Sequence, residues 1–209
     1  MRILLTAIAA GVLIACIPAF AQELAPAPAA PERVTDELVA LYLFDQAIEG
    51  TVIPDATQEM GGLDLIVQGT AVALVEMRDG AVHFATPEAV EIPGVFSAGP
   101  ATELVDAIKR SGQVTLEAWL TPGTATAEGP ARVVTISRDS ASRNITLGQS
   151  GDHYILRLRT SATSEQGTPE LVGPEGSLIA GELQHVVVTF DGQTAVMYLN
   201  GEPLCQTTH

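Results

Sequence analysis

The chain is short of aromatic residues (4%), of cysteine (two residues) and of lysine, Lys109 being its single example. Each shortage excludes something. With few Phe, Tyr and Trp, a core must be assembled from Val, Leu, Ile and Ala, which supply most of the 46% hydrophobic content. With ten cations against twenty-five acids and a net charge of −15, the chain repels nucleic acid and anionic lipid, because phosphate binding needs clustered positive charge. The acid excess serves solubility, or else gathers locally to hold a cation such as Ca²⁺; total charge does not separate the two. Past the N-terminal apolar run, nothing approaches the roughly 20 apolar residues that cross a bilayer, so the mature chain is expected to carry no transmembrane segment.

Met1 and Arg2, the apolar run 3–14, and the small-x-small triplet Ala19-Phe20-Ala21 form a bacterial-type signal peptide over residues 1–21, with Gln22 as the new N-terminus. Leu13-Ile14-Ala15-Cys16 also fits a lipobox, in which acylated Cys16 would anchor a lipoprotein to a membrane leaflet. The expected location is therefore secreted, periplasmic or cell-envelope, with the lipoprotein as the alternative. If Cys16 leaves with the leader, Cys205 stands alone and forms no internal disulfide. Residues 22–35 are rich in Pro and Ala and read as an extended linker, so the folded domain is expected over 36–209.

The 19 Gly and 13 Pro punctuate short alternating segments, which favours strands and turns. Strands are expected at 38–44, 63–68, 71–75, 81–85, 114–120, 132–137, 145–148, 153–159, 185–190, 195–199 and 204–207, with turns at Gly69-Thr70, Arg78-Asp79-Gly80, Asp191-Gly192-Gln193 and Asn200-Gly201. One short helix is expected near 100–110, where Leu104, Ala107 and Ile108 share a face and Gly112 suits the stop. In 153–159, Tyr154, Leu156 and Leu158 take one side and Ile155, Arg157 and Arg159 the other. That pattern suits one of two stacked antiparallel sheets. The predicted fold is an all-β, two-sheet jelly-roll sandwich.

Several segments resemble one family. Val114-Thr115-Leu116-Glu117-Ala118-Trp119-Leu120-Thr121-Pro122, then His185-Val186-Val187-Val188-Thr189-Phe190-Asp191-Gly192 and Met197-Tyr198-Leu199-Asn200-Gly201, are similar to the strands of bacterial laminin G-like domains of the concanavalin A-like class. Leu41-Tyr42-Leu43-Phe44-Asp45 resembles their opening strand, and the resemblance runs over about 36–209. Two departures stand out. Leu183-Gln184 replaces the tryptophan usual before His185, and the family's further closing strands would follow His209, so the domain reads as C-terminally truncated or finished unusually. The resemblance implies carbohydrate binding and, in some relatives, Ca²⁺ near a rim of the sandwich.

No catalytic pattern is found. Glycoside hydrolysis needs two carboxylates across the sugar, and the nearest close pair, Glu88 and Glu91, lies in a Pro-bounded loop without the family's Glu-x-Asp pattern. There is no Gly-x-Ser-x-Gly elbow, Cys205 lacks a motif neighbour, and His83, His153, His185 and His209 are not spaced as zinc ligands. A non-enzyme is expected. Asp55, Asp64, Asp191 and Asn200 are candidate Ca²⁺ ligands at loop positions, set against ordinary turn formation. Arg157 and Arg159, joined by Arg132 and Arg143, form the candidate ligand face, since guanidinium forks suit carboxylates and sulfates; internal ion pairing is the alternative. Trp119 is expected in the core, with sugar stacking as its other reading, and His185 as a hydrogen-bonded structural histidine. Together these point to a non-catalytic recognition or adhesion domain, for which the resemblance implies a glycan as partner, or to a structural module that meets an envelope protein or a fragment of a larger multidomain exported protein.

Overall fold

The computed structural model describes residues 36–44, 52–57, 62–67, 72, 74–85, 94–139 and 141–208. The leader, Cys16, the linker, Glu88, Glu91 and His209 lie outside the described residues. Alternating runs become strands here wherever one parity can be covered. In chain order the strands are β1 (Val52–Ile53), β2 (Leu65–Val67), β3 (Val75–Arg78), β4 (Ala81–Phe84) and β5 (Val95–Ser97). The helix α1 (Thr102–Ser111) comes next, then β6 (Val114–Leu120), β7 (Ala131–Ser137), β8 (Arg143–Ser150) and β9 (His153–Leu158). The last four are β10 (Leu171–Val172), β11 (Gln184–Phe190), β12 (Thr194–Leu199) and β13 (Glu202–Thr208).

The helix falls where its signals place it. Glu103 in the first turn and Lys109 and Arg110 in the last complement the helix dipole. Gly112 adopts the left-handed conformation (φ 68°) and returns its N–H to Ile108 O at 2.8 Å, closing the end.

Two four-stranded antiparallel sheets carry the fold, ordered β10-β9-β8-β7 and β13-β12-β11-β6. Ile145, Leu147, Tyr154, Leu156 and Leu158 of the first pack with Val186, Val188, Ala195 and Met197 of the second in one hydrophobic core. Burying each of the larger apolar side chains contributes about 1.5–3 kcal/mol, and no aromatic-rich centre is required. The all-β sandwich read from alternation is thus the observed architecture. Two smaller antiparallel sheets, β1-β2-β5 and β3-β4, precede it in the chain.

Three local expectations need correction. Residues 38–44 are not a strand. Their backbone is held from the side, with Leu41 N–H donating to Asp55 Oδ1 at 3.0 Å and Tyr42 Oη to Leu63 O at 2.6 Å, and Phe44 at φ 56° ends any extension. The strand expected at 71–75 begins only at Val75. Gly69, Thr70 and Ala71 lie outside the described residues. The third concerns Trp119, which is not core: it stands 39% exposed.

Candidate functional site

Strand β6 explains the tryptophan. Val114, Leu116, Ala118 and Leu120 turn inward against the core, so the opposite parity, Thr115, Glu117 and Trp119, faces out. The antiparallel register of β6 with β11 sets His185 opposite Trp119 and Val187 opposite Glu117. The two rings stack, centroids 4.1 Å apart and planes 13° from parallel. Trp119 Nε1 donates to Glu117 Oε1 at 3.1 Å, and His185 Nε2 lies 3.0 Å from the same oxygen. An ionised carboxylate only accepts, so His185 carries its proton on Nε2. Behind the ring, His185 N–H donates to Asn200 Oδ1 at 2.9 Å, and Asn200 N–H returns to His185 O at 2.7 Å. The expectation of a hydrogen-bonded His185 holds. The result is a rigid aromatic pair with a carboxylate at its side, on the outward face of the β13-β12-β11-β6 sheet. Parity within 114–120 carried the signal, since Trp119 shares its side with Thr115 and Glu117 rather than with the leucines.

On the other sheet, the arginines separate into two groups. Arg157 on β9 lies opposite Thr146 on β8, which lies opposite Thr135 on β7; in the next row Ile155, Gly148 and Arg132 line up. Thr135 and Thr146 hydroxyls share a 2.7 Å hydrogen bond. Arg157 Nε donates to Glu170 Oε2, a pair that is mostly buried. Arg143 heads β8, and its backbone N–H donates to Glu165 O at 3.0 Å. Its side chain is buried (8% exposed), and Nε and Nη1 have no hydrogen-bond partner among the described residues. Burial depresses its pKa, the charges of Arg157 and Arg132 depress it further, and Glu170 alone opposes them. Arg132 and Arg157 therefore both lie within electrostatic reach of Arg143. Arg159 is held apart in an exposed pair with Glu165, 3.5 Å away.

Asp55 and Asp64 lie together, while Asp191 and Asn200 are engaged in contacts of their own. Asp55 is fully buried and accepts from Leu41 N, Thr57 N, Thr57 Oγ1 and Leu63 N. Burial pushes its carboxyl pKa up, but these bonds outweigh it and hold the group below its ordinary range. Asp64 Oδ1 takes the N–H of Asp55 at 2.9 Å. Asp191 accepts the N–H of Gln193 and Thr194 in its hairpin turn, which lowers its pKa, and Asn200 serves His185. Among the described residues, no three His, Cys, Asp or Glu side chains are grouped to hold a metal. Cys205 is a free thiol, partly buried against the core, and burial pushes its pKa up.

Residues 96–209 match the laminin G-like family model of the concanavalin A-like lectin/glucanases superfamily. No curated protein matches the chain.

Proposed function

This chain belongs to the concanavalin A-like lectin/glucanase superfamily, and on that premise we propose that it is an exported, non-catalytic carbohydrate-recognition module. The observation that carries the reading is the exposed Trp119 ring, stacked on His185 beside Glu117. A pyranose offers an apolar C–H face and a ring of hydroxyls. The first suits an indole held flat on a sheet, and the second suits a carboxylate and an imidazole fixed at its edge. Pre-organisation supports the assignment, because Trp119 and His185 are already locked through Glu117 and little side-chain entropy remains to be lost on binding. Export is supported by the leader pattern of residues 1–21.

The test is binding of the purified protein to a panel of neutral and acidic oligosaccharides, with Trp119→Ala and Trp119→Phe alongside. Expected are retained glycans, a loss of roughly tenfold or more in affinity for Trp119→Ala, partial retention for Trp119→Phe, and no release of reducing sugar. Unaltered affinity in Trp119→Ala would remove the platform from the reading. An empty glycan panel together with stoichiometric capture of one envelope protein would replace carbohydrate recognition with a protein-interaction role.

A further inference from the structure

We propose a second binding site on the opposite sheet, built by Arg143, Arg157 and Arg132, which takes a single sulfate or phosphate monoester group. Arginine is seldom buried without an acid, because removing its charge from water must be offset by pairing and hydrogen bonding. Arg143 breaks that rule. It is nine-tenths buried, and two of its N–H-bearing atoms, Nε and Nη1, lack a hydrogen-bond partner among the described residues. Nε together with an Nη is the fork with which arginine grips two oxygens of one oxyanion.

The neighbourhood reinforces this. Glu170 is the acid within electrostatic reach of Arg143, against the charges of Arg157 and Arg132, and Arg157 already holds it. Arg132 is exposed on β7 and has no ion-pair partner among the described residues, so it can swing onto a ligand. Between Arg132 and Ile155 lies Gly148. It has no side chain to interpose, and the strands run close there: an added Cβ would lie 2.9 Å from Ala131 O and 3.6 Å from Ile155 Cγ1. The threonine pair Thr135 and Thr146 adds hydroxyls beside Arg157 in the adjoining row.

Net charge decides the size of the ligand. A chain carrying −15 repels an extended polyanion over its whole length, whereas one oxyanion group meets only the local positive field. The fitting ligand is therefore a singly sulfated or phosphorylated small molecule or sugar, not a heparin-like polymer. This site does not depend on the Trp119 platform.

Titration calorimetry and thermal unfolding with sodium sulfate, inorganic phosphate, glucose 6-sulfate and glucose, each against sodium chloride of equal ionic strength, test the proposal. The full-length mature protein should show saturable binding and a raised unfolding midpoint with sulfate, phosphate and glucose 6-sulfate, and neither with glucose. Tighter binding of glucose 6-sulfate than of sulfate would identify the ester as the ligand, and equal binding would identify the free oxyanion. Arg132→Gln, at an exposed position, should weaken binding several-fold. Arg143→Lys, which keeps the charge and removes the fork, should weaken it by roughly tenfold or more. Responses indistinguishable from chloride, or undiminished binding in both variants, would overturn the site.

Discussion

The phenol of Tyr154 donates a 2.8 Å hydrogen bond to Gln184 Oε1, joining β9 of one sheet to β11 of the other inside the core. Gln184 Oε1 also accepts Ile179 N–H at 3.1 Å, and its Nε2 donates to Ser177 O at 2.9 Å. A buried polar group is costly unless each of its partners is present. The cluster therefore fixes how the sheets face each other and where the 173–183 segment lies. Tyr154→Phe, which leaves Gln184 with its other two bonds, should lower stability by about 1 kcal/mol. Gln184→Leu strands three groups at once and should cost about 2–4 kcal/mol. Urea unfolding of the whole chain measures both, and an equal cost for the two would show that the network is not shared.

The same burial sets a pH dependence. Desolvation raises the Tyr154 pKa to about 12, against about 10 in the unfolded chain. The folded state holds the neutral phenol, so the contribution is complete below pH 10. Above that, the unfolded chain ionises first and stability drains away until the folded phenol itself ionises near pH 12. The loss over this window is about 2 kcal/mol. Tyr154→Phe should make that part of the profile of unfolding midpoint against pH shallower, leaving the decline due to Tyr42, whose pKa burial also raises. Parallel declines in the two proteins between pH 10 and 12 would assign the alkaline loss to other groups.

How much of this was legible in the sequence follows from the range of the forces involved. Strands such as Val114–Leu120 and His153–Leu158 were readable because their alternation is local and one parity must be buried. The hairpin at Asn200-Gly201 was readable because both residues take positive φ, 52° and 89°, as that dipeptide favours. Residues 38–44 have the composition of a strand, but the Asp55 side chain, fourteen positions later, takes the Leu41 N–H that a ladder would need. β10, two residues long, is set by pairing with β9 and has no local signature. Trp119 is expected in the core as a large apolar strand residue, whereas its parity places it outward with Glu117. Of the four arginines, alternation puts Arg157 and Arg159 on one side of their strand, whereas the place of Arg132 depends on the pairing of β7 with β8 and its register shift. The burial of Arg143 depends on the chain returning from β9, where Glu165 O receives its N–H, and no local pattern announces that.

That returning segment supplies a further prediction. Gly167 has φ 71°, and a Cβ built there would lie 2.7 Å from Leu158 N and 2.9 Å from the Arg157 carbonyl carbon. Both contacts are backbone, which cannot swing aside as a side-chain tip can. Gly167→Ala thus meets a strained conformation and a steric clash together, and should cost about 2–4 kcal/mol. The loop must lift away from β9, carrying Glu165 and Glu170 with it. Sulfate binding should then weaken along with stability, because Arg143 and Arg157 lose the frame that holds them. Gly123→Ala is the contrast: nothing lies within 4 Å of its Cβ, and the change should stay within about 0.5 kcal/mol. Denaturant midpoints and sulfate titrations on both variants decide it. A Gly167→Ala protein as stable as Gly123→Ala would mean the loop sits less tightly on β9 than its contacts imply, and the frame around Arg143 would go with it.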